Sequence, residues 1–483
     1  MNAVRFCLTG LLAVLFTVTD TSAQIGMSGN TLIYSTSEGI TGTPDTTKRF
    51  LIREIHLSGN QRTKSHIVLR ELSFRELESY PLSELVEKFA ETRQQLMNTG
   101  LFSDVVVALG SLQGYDVYVN ITVKERWYIF PLPFLRMVDR NFNEWVKEDM
   151  SLKRVNYGLR VVHNNTTGRN DKLTVYLMNG HTKQVAFSYN GLYLDKGLHW
   201  SSNMGFSFGK NKEVRYETVN NKQMALRVND EFVNSYFRSF FELNYRRAIK
   251  TRHTIGVSFG YEDLADTIFQ MNPAYSRQQK VVSFPEIFYR LSHFNVDYIP
   301  YPTKGYAGEL GLTKRGFSKD VNLWQLSARG SGTWPLSEKS FFNLRAAGML
   351  KLPFRQPYIM KQFMGYDNNF TMQGYEHYVI EGVAGGYAKT AFARQLVNTT
   401  IHIPSQRIKK LNDIPLRIYA KVFGNTGYVY DPEPGDNRLS NRMLYSGGFG
   451  IDVVTAYDLV LKFEWSFNSL GQNGLYLHRK NYF

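Results

Sequence analysis

From residue 127 to the end of the chain, apolar and polar residues alternate with a period of two, segment after segment. Tyr457, Leu459, Leu461, Phe463, Trp465 and Phe467 share one face, and Asp458, Lys462, Glu464, Ser466 and Asn468 share the other. Val155, Tyr157, Leu159 and Val161 repeat the pattern, as do Ile255, Val257, Phe259 and Tyr261. Leu416, Ile418, Ala420 and Val422 oppose Arg417, Tyr419, Lys421 and Asn425. A lipid-facing apolar row against a polar lumen row requires this alternation, because a sheet in lipid must pair every backbone group within itself and close. The only long apolar run is at the N-terminus, so a helical membrane bundle is excluded. A mean hydropathy of −0.31 with 14% aromatic residues fits a barrel and rules out a disordered chain.

Sixteen antiparallel strands are predicted, starting near residues 127, 151, 171, 184, 199, 235, 252, 281, 304, 321, 341, 385, 415, 443, 456 and 473. Long connections follow odd strands, at 209–234, 262–280, 352–384 and 425–442, and most connections after even strands are shorter. A barrel with both ends of the chain on one side of the membrane has this asymmetry. The expected fold class is therefore an all-β transmembrane barrel over residues 127–483, preceded by a small α+β domain.

Upstream, Arg5, an apolar run over 6–18 and Thr21-Ser22-Ala23 read as a signal peptide over 1–23, cleaved before Gln24. The single cysteine, Cys7, lies within it, which leaves the mature chain without disulfides, thiolate metal sites or a cysteine nucleophile. Residues 24–48 are rich in Ser, Thr and Gly without period and read as a flexible linker. Residues 49–126 then give strand 50–58, helices 64–72 and 82–97, and strands 103–109 and 115–124, with turns at Gly59-Asn60 and Gln113-Gly114.

That order, with Gly59-Asn60 and Thr63 after the first strand and Leu96-Met97-Asn98-Thr99-Gly100-Leu101-Phe102 before the second, resembles a POTRA domain of the BamA/TamA superfamily of outer-membrane assembly and translocation proteins. Gly100 suits the left-handed residue that stops a helix, and Leu101 and Phe102 are expected to cap the core. Within the barrel, Met372-Gln373-Gly374-Tyr375 resembles the family's sixth-loop signature, in which an Arg stands where Gln373 is. The resemblance implies that this loop folds into the lumen and meets a twelfth-strand acid, here matched to Gln395 ten residues after Gly385-Gly386. It also implies a thirteenth-strand motif, here Phe423-Gly424-Asn425-Thr426-Gly427. The three charged family positions thus read as the neutral set Gln373, Gln395 and Asn425, expected to contact one another, since a fully neutral set avoids a lone buried charge. Asp139-Arg140-Asn141-Phe142 with Trp145, and Pro302-Thr303-Lys304-Gly305, are weaker family-like features. Phe483 matches the terminal aromatic common in such barrels, while Asn481 departs from the pattern.

The formal charge is +15, of which residues 127–483 carry +16. Without a basic helix or an RNA-binding signature this fits anionic lipid head groups or a polar lumen, and no nucleic-acid partner is expected. No enzyme is expected: residues 205–209 and 256–260 match the nucleophile-elbow spacing but lie inside alternating strands. No metal or cofactor is expected either. The resemblance implies outer-membrane lipid, unfolded client proteins and other assembly-complex subunits as partners. It also implies a Gram-negative outer membrane with the POTRA domain in the periplasm. A lateral seam is expected between a first strand carrying Trp127, Tyr128 and Ile129 and a last strand carrying Leu475, Leu477 and Phe483. Assistance in insertion or translocation of clients, by POTRA strand capture and this seam, is the expected role. A two-partner secretion transporter and a non-catalytic accessory barrel stay open as alternatives.

Overall fold

The computed structural model describes residues 48–138, 151–228, 231–365, 370–402 and 413–478. The signal peptide, nearly all of the linker, the first outer loop at Asp139 to Trp145, and Phe483 lie outside the described residues.

The small domain runs β1 (Arg49–Ser58), α1 (Ser65–Arg70), β2 (Ser79–Pro81), α2 (Leu82–Asn98), β3 (Phe102–Gln113) and β4 (Asp116–Glu125). Its sheet has the order β2-β1-β4-β3, with β1 and β4 parallel and the other pairs antiparallel. Val117, Val119, Ile121 and Val123 alternate along β4 and are all buried against Leu85 and Leu96 of α2 and against Ile52. Gly59 is positive in φ at +88°, and a Cβ there would sit 1.9 Å from the Val123 carbonyl oxygen, so no other residue fits this turn. Gly100, at φ +72°, closes α2. β2 was not anticipated, because three residues carry no readable period.

The barrel follows as β5 (Ile129–Met137), β6 (Val155–Asn164), β7 (Lys172–Gly180), β8 (Thr182–Tyr193), β9 (Trp200–Asn211), the hairpin β10 (Glu213–Val219) and β11 (Lys222–Arg227), and β12 (Asn234–Tyr245). It continues as β13 (Thr251–Leu264), β14 (Val281–Val296), β15 (Gly305–Arg315), β16 (Leu323–Pro335), β17 (Ser340–Leu352), the short β18 (Gln362–Met364) and β19 (Ile380–Glu381), β20 (Ala384–His402), β21 (Asp413–Tyr430), β22 (Leu444–Thr455), β23 (Leu459–Asn468) and β24 (Asn473–His478). Omitting β10, β11, β18 and β19, these form one 16-stranded antiparallel meander from β5 to β24. Each strand begins within four residues of its expected start. Two details differ. The β7–β8 connection is tight, with His181 alone between the strands. β21 runs on to Tyr430, so Asn425 is in a strand and not in a loop.

The two ends of the barrel are dressed differently. The turns after β6, β8, β12, β14 and β22 meet the small domain, here termed the near end. At the far end β10–β11 reaches over to the 352–384 and 431–443 segments. Asn221, at the hairpin tip, accepts from Leu439 N at 3.0 Å and donates to the Val379 carbonyl at 3.2 Å, and its own N–H reaches Asn437 at 2.7 Å. An apolar cluster of Tyr216, Leu264, Ile268, Tyr275, Leu323 and Tyr358 packs beneath.

Candidate functional site

Three features are candidates for function: the joint of the small domain with the barrel, the loop inside the lumen, and the seam between the first and last strands.

At the joint, the motif residues of the small domain bond to the barrel as well as to their own fold. Asn60 Nδ2 donates to the Thr63 carbonyl at 3.0 Å. Thr63 N donates to Glu125 Oε1 at 2.7 Å, and Thr63 Oγ1 accepts from Asn165 of the β6–β7 turn at 2.9 Å. Tyr128 is buried in the small domain's core, with its hydroxyl donating to the Leu101 carbonyl at 3.2 Å. The expectation that Tyr128 lines the seam is thereby corrected: its ring follows the apolar core, and β5 begins one residue later. Trp127 lies exposed in the connector, ahead of the strand. Leu101 and Phe102 are buried where they were expected.

Other near-end turns are held too. Glu71 and Arg246 of the β12–β13 turn form a two-bonded ion pair at 2.6 and 2.8 Å, with both side chains largely buried. Lys250 pairs with Glu91 at 2.7 Å. Gln94 and Asn98 on α2 donate to the Val296 carbonyl at 2.6 and 3.1 Å. Arg62 donates to the carbonyls of Asn165 and Thr166 at 2.9 and 2.6 Å. Paired, buried charges of this kind make a definite dock and not a loose tether.

The 370–378 segment enters the lumen. Met372 is buried against Gly427, where an added Cβ would meet its sulfur at 3.1 Å. Gly374 is left-handed at φ +88°, and its carbonyl accepts from Asn468 Nδ2 at 2.7 Å. Tyr375 is buried and its hydroxyl lies 2.7 Å from Ser469 Oγ and 3.1 Å from the Tyr445 carbonyl oxygen. Gln373 lines a small lumen cavity together with Phe423, Asn425, Lys389, Lys421 and Glu464.

The neutral set is not what surrounds Gln373. Its amide donates to Glu464 Oε1 at 3.4 Å. Lys421 bridges Glu464 and Asp452, each at 2.6 Å, and His478 Nδ1 lies 2.5 Å from the other Glu464 oxygen. Asn425 donates to Ser446 Oγ at 3.0 Å. Gln395 is paired across the sheet with Tyr419, whereas Asn425 is paired with Lys389. Six strand positions separate Tyr419 from Asn425, about 20 Å at the rise of a β-strand. Gln395 therefore sits well away from Asn425 toward the near end, with its N–H on the Lys339 carbonyl of a near-end turn. Counting ten residues from the glycine pair overshot, because strand register sets which residue faces the loop. The ionic set was missed, although Lys462 and Glu464 on one polar face and Lys421 on another were its visible signal.

At the seam, fifteen neighbouring strand pairs carry a ladder, and among the described residues none joins β5 to β24. Side chains of the connector and β5 reach the β22–β23 turn beside its near end. Arg126 pairs with Asp458 at 2.8 Å, and the Phe130 ring meets Tyr457 edge-on at 5.3 Å. Ile129, Leu475 and Leu477 are exposed on the lipid-facing side.

Residues 50–126 match the POTRA family model, described as surface antigen variable number repeat. The fold is shared with BamA from Haemophilus ducreyi lacking POTRA domains 1–3, at a TM-score of 0.50 and 13% identity, over 89% of this chain and 83% of that one. The chain thus joins a domain that matches the POTRA model to a barrel with the fold of that BamA structure. Over 80 residues it is also 35% identical to the outer membrane protein assembly factor BamA of Neorickettsia risticii (strain Illinois). That match covers 17% of this chain and 10% of the relative, so the chain spans about a tenth of the length of the curated protein it matches. CdiB from Escherichia coli is similar at a TM-score of 0.46 and 12% identity, over 99% of this chain and 96% of that one. The barrel lies in a Gram-negative outer membrane with the POTRA domain in the periplasm, which makes the near end periplasmic and the far end extracellular.

Proposed function

We propose that the protein assists insertion or translocation of client proteins at the outer membrane, with the barrel seam as the place of work. The observation that carries this reading is that, among the described residues, no ladder joins β5 to β24 in a barrel whose other neighbours are all paired. An unzipped seam lets an extended segment pair its backbone while entering lipid, the one route that leaves no polar group bare in hydrocarbon. Among the described residues the loop around Gln373 enters the lumen, and β10–β11 reaches across the far end. That favours assembly over passive transport through the pore. The POTRA sheet contributes β3, whose outer edge has no sheet partner among the described residues and suits a first, weak capture of an extended client. Register shifts at Phe102/Asp104 and Leu109/Ser111 interrupt that edge, which limits the length of segment it binds.

A second reading, an accessory barrel within an assembly complex, is favoured by the loop motif, where Gln373 replaces a cation and the wall supplies Lys421 instead. Conditional depletion followed by a proteomic census of the outer membrane tests the two. The assembly role predicts loss of many barrel proteins. An unchanged census contradicts it and leaves the accessory reading, and loss of a single secreted product points to a dedicated transporter.

A further inference from the structure

β5 reads Ile-Phe-Pro-Leu-Pro-Phe-Leu-Arg-Met, with prolines at 131 and 133. In an antiparallel pair, alternate residues turn their N–H and C=O groups to one neighbour and the rest turn away. The ladder to β6 fixes which are which. The Tyr128 carbonyl accepts from Asn164 N at 2.8 Å, and Val138 N donates to the Arg154 carbonyl at 2.9 Å. Both obey the same register that pairs Pro131 with Val161 and Pro133 with Leu159. Even-numbered residues of β5 therefore bond to β6, and odd-numbered ones face the seam. Both prolines are odd. The seam edge of β5 thus offers N–H donors only at Ile129, Leu135 and Met137, with a gap of two consecutive positions in the middle of a nine-residue strand.

The opposite edge is complete. Asn468 N donates to the Gln472 carbonyl at 3.0 Å, in the register that pairs Ser466 with Gly474, so even residues of β24 bond to β23. Asn473, Leu475 and Leu477 turn to the seam, and each has both an N–H and a C=O. Leu475 and Leu477 present apolar side chains to lipid, exposed by 64% and 62%.

We infer that Pro131 and Pro133 make β5 a non-pairing edge, and that an incoming amphipathic strand with one apolar face docks on β24. The inference rests on the reading that the seam admits client strands. In lipid a missing donor leaves the partner carbonyl without water as a substitute, so two adjacent gaps weigh more there than on a soluble edge strand. The prolines also keep β5 from closing on β24 through its middle, which leaves that docking edge available between clients.

The test uses the mature chain in phosphatidylethanolamine/phosphatidylglycerol vesicles and a synthetic peptide copying residues 459–468 with an added cysteine. Single cysteines replace Leu475 or Leu477 on one edge and Ile129 or Leu135 on the other. Disulfide yield is expected to be about tenfold higher on the β24 edge. In the P131V/P133V background β5 competes for β24, and the yield at 475 and 477 falls. P133V alone, which restores one donor, is expected to lie between, and heat-modifiable migration on gels shows that each variant is folded. Equal yields at both edges, no yield at 475 and 477, or no response to the proline replacements overturns the inference. A client-free measurement separates it from the assembly role. In detergent micelles without client, where water reaches the seam, the Leu475 and Leu477 amides should exchange with solvent much faster than Tyr476, and slow exchange refutes the inference even if depletion strips the outer membrane of barrels.

Discussion

Lys421 bridges the two buried acids beside the lumen loop. It neutralises Asp452 and Glu464, both almost wholly buried, while Gln373 adds one long hydrogen bond to the same carboxylate. Removing a buried cation strands its partners, so Lys421→Ala should cost about 3–5 kcal/mol of barrel stability. Gln373→Ala should cost about 1 kcal/mol. Urea unfolding in vesicles measures both; similar costs would mean that the loop amide, and not the wall, organises the charges. A second residue-scale prediction concerns Glu381 in the extracellular cap. Thr218 Oγ1 donates to its carboxylate, the Tyr358 hydroxyl lies 2.9 Å from Thr218 Oγ1, and burial pushes its carboxyl up to about 7. The folded state then holds a proton that the unfolded chain, near 4.5, gives up. Stability contributed at this site is full below about pH 4.5 and is lost as pH rises to about 7, with an upper limit of roughly 3 kcal/mol. Acidification from pH 7.5 to 5 should raise the cap's protection from proteolysis, and Glu381→Gln should flatten that response. An unaltered pH response in the Gln variant would exclude Glu381 as its source.

Elements were more legible than contacts. The sixteen strand starts could be read because lipid outside and polar lumen inside impose the same period-two rule on every strand. The POTRA helices were legible from the spacing of Leu82, Leu85, Phe89 and Leu96 and from Pro81 and Gly100 at the ends. What alternation cannot supply is register, because shifting a strand by two residues keeps every side chain on its face. Gln395 was misassigned for that reason, and the ionic set on β21 to β24 went unassembled. Tyr128 shows a different limit, since an aromatic at a domain joint belongs equally to either side by pattern. The dock of POTRA on the periplasmic turns is an element-scale feature with its own prediction. Arg246→Ala leaves Glu71 buried without its partner, at a cost of about 3–5 kcal/mol to docking. Limited proteolysis at the 126–129 connector should then accelerate, and Glu71→Gln in the same background should restore part of the protection. No change in cleavage would mean that the other turns hold the domain without this pair.

At the scale of the whole molecule, the barrel is dressed at both ends, and among the described residues no ladder joins its first and last strands. POTRA contacts secure the periplasmic turns, β10–β11 and its partners cross the extracellular mouth, and Arg126 pairs with Asp458 of the β22–β23 turn beside the foot of the seam. Under the proposed function, a molecule built this way directs traffic sideways into lipid and not straight through. The sequence carries no cysteine after residue 7, so a designed disulfide is unambiguous. The most direct measurement joins the two sides of the seam, with Leu135→Cys paired in turn with cysteine at 473, 475 or 477, in cells depleted of the natural protein. Under oxidising conditions the bridged barrels should fail to restore the outer-membrane proteome, and reductant should return activity. Full restoration by an oxidised, verified cross-link would contradict the account, because the seam would then have no part in the work.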